Sequence, residues 1–494
     1  MEEGTLRFRL QVLLLGALGA AGTARAADTL WPGPRGGSGG TATCRWNSKT
    51  KPPQLRQWHY ESKHNRRYKM GLAVWASPAI VLTGGRPTVF IGGYDQTMHA
   101  LDLADKEVLW RKITNGEIAG PPAVGLVGGR QTVFWGSADR HVYAYYADSR
   151  GDFDGRQAWP PTELVPPSNT QADASLSAPL LLDGRLYITC FVYDKAFSRS
   201  RQKGWLFCLD QNTGRAIWKR EVSQGPVSHP MGRMIGGRAT VFVCARKGLL
   251  QAYDVSGASP GQLWTYQMPH EVMGSPVVEE QGDRPLVFLG SKFGNLHAVD
   301  AASGEPVWKR MSGNWIDNTA CIGEVDGVRH VFVGSHDYNV YAYEASTGRL
   351  RWKRHLGGEV YSAPSYFVYG GRPQVAVAAL DNHLYVLDAD TGKVTTSYYT
   401  GTPIWDKVAK GETLWGSSAV FEAGEETVIV HGSFDDFVYV YPVSQAKDCE
   451  LRTKVQSPAT LWWGLLITLG VFGGIILPIV LRIPERQPQN DRNG

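Results

Sequence analysis

The sequence predicts an all-β fold: an eight-bladed β-propeller with four-stranded blades, followed by a single C-terminal transmembrane helix. Three observations carry this. A phrase of about 45 residues recurs through the middle of the 494-residue chain, the period of a four-stranded propeller blade. Gly (57) and Pro (28) accompany 17 Trp, 21 Tyr and 16 Phe, a mixture of turn formers and aromatics that suits many short strands better than long helices. Residues 459–481 are apolar and carry no charge, and as a helix they reach about 34 Å, enough to cross a bilayer core.

In chain order, the first element is a leader. Arg7 and Arg9 precede an apolar run from Leu10 to about Gly22, and Ala24-Arg25-Ala26 follows, with small residues where a signal peptidase reads. Residues 1–26 therefore read as a cleaved signal peptide, and residues 27–53 as an N-terminal extension. Hydrophobic content of 43% excludes a disordered chain. The net charge of +5 is dispersed over 51 Lys and Arg against 46 Asp and Glu, which excludes nucleic acid as the partner. Six cysteines in so long a chain exclude a disulfide-dense scaffold.

The propeller is read over residues 54–445. Its clearest copies are VFIGGYDQTMHALDLADKEVLWRK from Val89, VFLGSKFGNLHAVDAASGEPVWKR from Val287 and VFVGSHDYNVYAYEASTGRLRWKR from Val331. Weaker copies start near Val133, Leu186, Val241, Val375 and Val428. Each copy ends in a strand marked by Trp110, Trp159, Trp218, Trp264, Trp308 or Trp352, with Tyr398 in the seventh slot. Inner strands begin after Ser77-Pro78, Pro121-Pro122, Ala178-Pro179, His229-Pro230, Ser275-Pro276 and Ala363-Pro364. Period-two alternation assigns the recurrent Val, Tyr and Trp to the packing between blades. Thr213-Gly214, Ser303-Gly304, Thr347-Gly348 and Thr391-Gly392 supply the positive φ of tight turns.

The eighth copy ends at Pro442 without a Trp strand. A ring left open exposes a sheet edge. The segment Gln54-Leu55-Arg56-Gln57-Trp58-His59-Tyr60 resembles a Trp strand and is expected to complete blade eight, joining the two ends of the chain. Cys44 and Cys449 bracket this closure and are expected to form a disulfide in an oxidising compartment. The loop it closes is worth at most roughly 6 kcal/mol in the chain-entropy model. Cys190, Cys208, Cys244 and Cys321 fall inside strands and read as buried thiols; a Cys190–Cys208 bridge across adjacent strands is the alternative.

Beyond the propeller, residues 446–458 are a juxtamembrane linker, 459–481 the membrane helix and 482–494 a cytoplasmic tail. Trp462 and Trp463 sit near the outer end of the helix, as interfacial anchors do, and Arg482 follows its inner end. The cleaved leader orients the propeller outside the cytoplasm, whether periplasm, lumen or cell surface.

The phrase VFVGSHDYNVYAYEASTGRLRW resembles the pyrroloquinoline-quinone (PQQ)-type propeller repeat, and the resemblance covers about residues 58–442. It implies the eight-bladed ring. It also implies a choice of tasks, because the family includes quinone-dependent alcohol and sugar dehydrogenases, a propeller lipoprotein of the outer-membrane barrel-assembly machinery, and non-enzymatic luminal sensors. The alcohol-oxidising members carry adjacent cysteines against the quinone, and this chain has no Cys-Cys pair. Their Glu, Asn and Asp calcium ligands have no assignable counterparts here, nor is there a Cys-x-x-Cys-His haem motif. His229 and Asn318 are isolated polar residues near the inner strands. No cofactor is expected; PQQ and Ca²⁺ belong to the alternative reading, a divergent oxidoreductase.

The longest insertions, 160–176, 191–204 and 400–416, all lie in loops that emerge on one face of a propeller. The second carries Lys195, Arg199, Arg201 and Lys203, and the third Trp405, Lys407, Lys410 and Trp415. Loops of this length are often functional, so these residues form the expected partner-binding face, for other membrane or extracytoplasmic proteins. The turn Asp148-Ser149-Arg150-Gly151-Asp152-Phe153-Asp154-Gly155 holds Asp148, Asp152 and Asp154 as weak calcium candidates, without EF-hand spacing. The expected function is a membrane-anchored, non-catalytic binding scaffold.

Overall fold

The computed structural model describes residues 43–45, 58–61, 76–105, 107–151, 155–165, 172–194, 203–223, 225, 227–279, 284–399, 417–423, 426–432 and 437–443. The chain divides into two units, residues 1–449 and 450–494, and all described residues belong to the first. The leader, the linker, the apolar run and the tail lie outside them. No helix among the described residues is long and apolar enough to cross a membrane.

The described strands form eight separate sheets. Blade six shows the plan: Cys321–Val325 is innermost, then Val328–Gly334, Asn339–Glu344 and, outermost, Leu350–His355, all antiparallel. Blade one, Ala79–Thr83 to Val108–Ile113, repeats it. Alternation along each strand buries both faces. Val331, Val333, Tyr341 and Tyr343 pack on Phe288 and Trp308 of blade five, whereas Phe332, Val340, Ala342 and Trp352 pack on Val375, Val377 and Tyr385 of blade seven. Each such side chain contributes about 1.5–3 kcal/mol, so the ring is held by its seams.

The expected interblade role of the Trp strands is seen in detail. Trp308 and Trp352 stand opposite Ala298 and Ala342. Their indole N–H groups donate across the seam to the carbonyls of Ala345 and Ala389, each at 2.8 Å. Trp110, Trp159 and Trp264 do the same to Ala147, Gln211 and Ala301. Beneath the ring of Trp308 lies Gly348 of blade six at φ 67°, where a Cβ would come within 2.6 Å of the indole. Two residues after the Trp, Arg310 and Arg354 donate to the carbonyls of Gly348 and Gly392, both at 2.6 Å. The expected Gly turns are thus also docking floors.

Two seams depart from this plan. In blade seven the register places Thr396, not Tyr398, in the Trp slot opposite Val386. Tyr398 lies two residues on, which in a strand is the same face. Its ring stacks on Tyr441 at 4.6 Å and its hydroxyl donates to the Pro442 carbonyl at 2.7 Å. In blade three the Trp218 indole N–H has no hydrogen-bond partner, because the Val255 carbonyl in the corresponding place accepts from Arg185 instead.

Blade eight closes the ring as expected. Its strands Ala419–Ala423, Glu426–Gly432 and Phe437–Pro442 are completed by Trp58–Glu61, with Trp58 opposite Val440. The sequence reading missed a fifth strand, Thr43–Arg45, which pairs in parallel with Ala419–Ala423 on the axial side and sets Cys44 opposite Phe421. Cys449 lies outside the described residues. Cys190, Cys208, Cys244 and Cys321 are buried free thiols. Cys190 stands opposite Trp205 and Cys208 opposite Tyr187, so the two are not cross-strand partners.

Candidate functional site

On the face carrying the loops from second to third strands, and from each outer strand to the next blade, backbone hydrogen bonds tie neighbouring blades together at four of the seams. In the loop between blades one and two, Ile118 N–H donates back to Gly93 of blade one and the Glu117 carbonyl accepts from Ala138 of blade two. Val272 with Glu271, Ile316 with Trp315, and Val360 with Glu359 repeat this weave at the next seams. In the turns of blades one, two, six and seven an aspartate is spent on local geometry. Asp139, Asp337 and Asp381 each accept the backbone N–H two residues on and the hydroxyl of a Tyr four residues on. Asp95 accepts from Thr97 and pairs with buried His99 at 2.8 Å.

Because the loops are in register, departures from the pattern stand out. Where the loops into blades two, five and seven read Glu-Ile-Ala-Gly, Glu-Val-Met-Gly and Glu-Val-Tyr-Ser, the loop into blade six reads Trp315-Ile316-Asp317-Asn318. Asp317 and Asn318 are buried, at 3% and 0% exposure, whereas Trp315 is 40% exposed. Asn318 donates from Nδ2 to the carbonyls of Gly334 and Val360, which fixes its amide and leaves Oδ1 without a partner. Asp317 Oδ1 and His336 Nε2 also lack hydrogen-bond partners. The nearest approach between these two residues, His336 Nε2 to Asp317 Oδ2, is 3.6 Å, too long for a hydrogen bond.

Around this corner, the His336 ring lies 3.9 Å from that of Tyr361 and 5.6 Å from that of Trp315. Lys292 places its ammonium 4.6 Å over Trp315 and pairs with Glu271 at 3.1 Å; Arg246 stands 3.8 Å from the same Glu271. Burial pushes the Asp317 carboxyl up to about 6, against the opposing pull of Lys292 and Arg246. Burial pushes His336 down to about 4, so its imidazole is neutral at pH 7. Burial, then the charge of Glu359, raises the Tyr361 hydroxyl. Asn318 is the isolated polar residue expected from the sequence, and blade-by-blade comparison of the loops is the signal that adds Asp317 to it.

Of the residues expected on the partner face, Lys195, Arg199, Arg201, Trp405, Lys407, Lys410 and Trp415 lie outside the described residues. Lys203 is placed. It opens the strand Lys203–Asp210, pairs with Glu221 at 2.7 Å, and shares the ring of Trp205 with Lys219, at 5.6 and 5.3 Å. The two insertions flanking it are partly strand rather than loop. Ala172–Leu176 pairs with the far half of Arg185–Asp194, and those ten residues outrun the seven of the matching strand in blade six. His229 is a seam residue whose Nδ1 accepts from the Ala178 N–H. Asp148 is held by Arg130 at 2.7 Å with Arg156 nearby; Asp152 and Asp154 lie outside the described residues.

A calcium-assisted quinone needs several oxygen donors around the ion. Among the described residues no group of three or more His, Cys, Asp or Glu can hold a metal, and Asp317 with Asn318 offers one carboxylate and one amide.

Comparison with known proteins follows the same lines. The family model described as outer membrane protein assembly factor BamB matches residues 45–310 and 292–441. Among solved structures, BamB from Moraxella catarrhalis superposes at a TM-score of 0.51 and 17% identity, over 80% of this chain and 99% of that one. The quinohemoprotein alcohol dehydrogenase from Comamonas testosteroni gives 0.59 at 12% identity, over 92% and 87%. A europium-containing methanol dehydrogenase gives 0.60 at 12%, over 84% and 98%. At these identities the likeness concerns the fold. The beta-alanine-activating enzyme of Danio rerio is 33% identical over 66 residues, 13% of this chain and only 6% of its own length.

Proposed function

The chain belongs to the PQQ-type β-propeller family, and from that premise we propose that it is a membrane-anchored, extracytoplasmic scaffold that binds other proteins. The observation that carries this is the overgrown sheet of blade three. Arg185–Asp194, Lys203–Asp210 and Ala216–Ser223 have ten, eight and eight residues, where their counterparts in blade six have seven, six and six. The ring needs no such length. The added strand Ala172–Leu176 stiffens the base from which residues 195–202 depart, and Lys203, Trp205 and Lys219 present cations and an indole there. Tryptophan and arginine are enriched at protein interfaces; Trp205 supplies the first, and Arg199 and Arg201 of the adjoining insertion the second.

The proposal includes a leader cleaved after Ala26, anchoring through residues 459–481 with the tail in the cytoplasm, and a Cys44–Cys449 disulfide outside the cytoplasm. Comparative mass mapping with and without reductant tests the last; both thiols free would remove it. For the scaffold itself, the full-length chain is captured from its native membrane beside a variant with Lys195, Arg199, Arg201 and Lys203 changed to Ser. Loss of specific partners supports the reading, and an unchanged partner set counts against it. Quinone-dependent dye reduction by the purified chain with added PQQ and Ca²⁺ would favour the oxidoreductase reading instead.

A further inference from the structure

We infer that the corner formed by Asp317 and Asn318 is a binding site for an organic cation, an ammonium or guanidinium head group. The inference concerns the loops of blades five to seven and does not rest on the scaffold reading.

The demand for hydrogen-bond donors comes first. Asn318 Oδ1 can only accept, since both carbonyl partners of its amide fix Nδ2 as the donor end. Asp317 Oδ1 accepts whenever the carboxyl is ionised. Both atoms are buried without a partner. An unpaired buried polar atom costs about 1–3 kcal/mol, and more for a charge. The neighbouring residues do not supply the missing donors: Lys292 and Arg246 are directed to Glu271, and Asn318 donates elsewhere.

Charge then selects a cation over a neutral donor. His336 is neutral at pH 7, and Lys292 and Arg246, which act on the Asp317 carboxylate, are shared with Glu271; with Glu359 beside them, three carboxylates face two cations at this corner. Glu359 acts on Tyr361 at the same corner, and Glu271 lies on the near rim. A buried carboxylate is stabilised most by a partner that brings opposite charge together with N–H donors. The aromatic groups suit the same ligand. Trp315 is half-exposed and already carries one ammonium, that of Lys292, over its ring, which demonstrates the contact that a second cation would make with the rings of this rim.

Two sources share this chemistry, a free amine or guanidine and a Lys or Arg side chain of a peptide. Calorimetric titration of the purified full-length chain at pH 7 tests the site with n-butylammonium and n-propylguanidinium, with n-butanol as the neutral control, and with a short peptide holding one Lys beside its acetyl-lysine form. Saturable binding of the cations and not of butanol is expected, falling about tenfold or more in Asp317→Asn, the loss of a charged hydrogen bond. Tighter binding of the Lys peptide than of butylammonium, abolished by acetylation, would identify a polypeptide side chain as the source. Binding of the free cations alone would identify a small metabolite. Should Asp317→Asn fold poorly, Trp315→Ala at its exposed position is expected to weaken the cations severalfold with the circular dichroism spectrum unchanged. No saturable binding of either cation overturns the inference, as does unaltered affinity in folded Asp317→Asn. So does saturation by Ca²⁺ or Zn²⁺ in place of the organic cations.

Discussion

Blade six and blade eight present the same sheet from differently ordered chain. Blade six is four consecutive strands, and its outer Trp352 is locked into blade seven by the Ala389 carbonyl, the Gly392 floor and the Arg354 bridge. Blade eight takes three strands from one end of the propeller and its outer strand, Trp58–Glu61, from the other. The register is nonetheless equivalent: Trp58 faces Val440 as Trp352 faces Ala342. At the start of the last blade, Ser417 N–H donates to Ser77 at the start of the first, 2.7 Å away. A blade of consecutive strands is stabilised by local hairpins and by its seams. A composite blade depends on the ring being complete, since its outer strand has no local partner.

The largest effect is expected where that dependence is cut. Beginning the chain at residue 62 removes both Thr43–Arg45 and Trp58–Glu61 and leaves two strands of blade eight with open edges. The expected outcome is loss of a single cooperative thermal transition, with aggregation through the exposed edge, read by calorimetry and size-exclusion chromatography. A truncated chain that melts like the parent would show that blade eight closes without its borrowed strand.

Within blade six, Trp352→Ala keeps the ring but empties one seam. A cost of about 3–5 kcal/mol is expected in denaturant unfolding, without aggregation. A cost below about 1 kcal/mol would mean that the indole is not a seam anchor.

The loop face of the same blade carries a pair with opposed pH responses. Asp317 rises to about 6 from an unfolded value of 3.8, so alone it makes the fold less stable as pH climbs from 4 to 6. His336 falls to about 4 from 6.5, so alone it makes the fold more stable over nearly the same interval. Each is worth at most about 3 kcal/mol, and together they offset one another. Removing one exposes the other. Stability of Asp317→Asn is expected to climb between pH 4 and 6.5, and that of His336→Gln to decline between pH 4 and 6. Parallel slopes in the two variants would show that neither group is buried as described.

Glycines separate turn strain from seam contact. Gly348 and Gly371 have similar positive φ, 67° and 75°, but only Gly348 faces an indole; nothing lies within 4 Å of a Cβ at Gly371. Gly371→Ala is expected to cost about 1 kcal/mol. Gly348→Ala should cost about 2–3 kcal/mol, the strain plus a displaced Trp308. Equal costs in chemical denaturation would remove the floor role assigned to Gly348.

The blade count and the closure by Trp58 were legible because each rests on a repeated local signal: a Trp at the end of a turn-bounded strand. Thr43–Arg45 was not, since three residues added in parallel carry no periodicity. The Trp slot of blade seven was misplaced by two residues because a strand shows the same face at that interval, so Tyr398 and Thr396 are indistinguishable by pattern. The site at Asp317 was passed over for a different reason. Loop length is conspicuous in one copy, and Asn318 alone read as an isolated polar residue, whereas Asp317 stands out only once the loops are set in structural register, where Ala, Met or Tyr holds its place and Gly or Ser that of Asn318 in the other seams.

Tyr398 offers the finest test of what a seam requires. Blade seven has no indole opposite Val386; the cross-seam hydrogen bond from its outer strand comes from a phenol hydroxyl reaching Pro442 of blade eight. If ring packing on Tyr441 supplies most of the stabilisation, Tyr398→Phe retains it and loses only the hydrogen bond, about 1 kcal/mol. Blade eight is the composite blade, however, and a carbonyl left unpaired there loosens the strand that Trp58–Glu61 must join. Hydrogen exchange of the Val438 and Val440 amides should therefore rise in Tyr398→Phe, while the amides of Asn339–Glu344 in blade six keep their protection. A uniform change across both blades would mean that the seams act as one cooperative unit, and that the composite blade is no weaker than its neighbours.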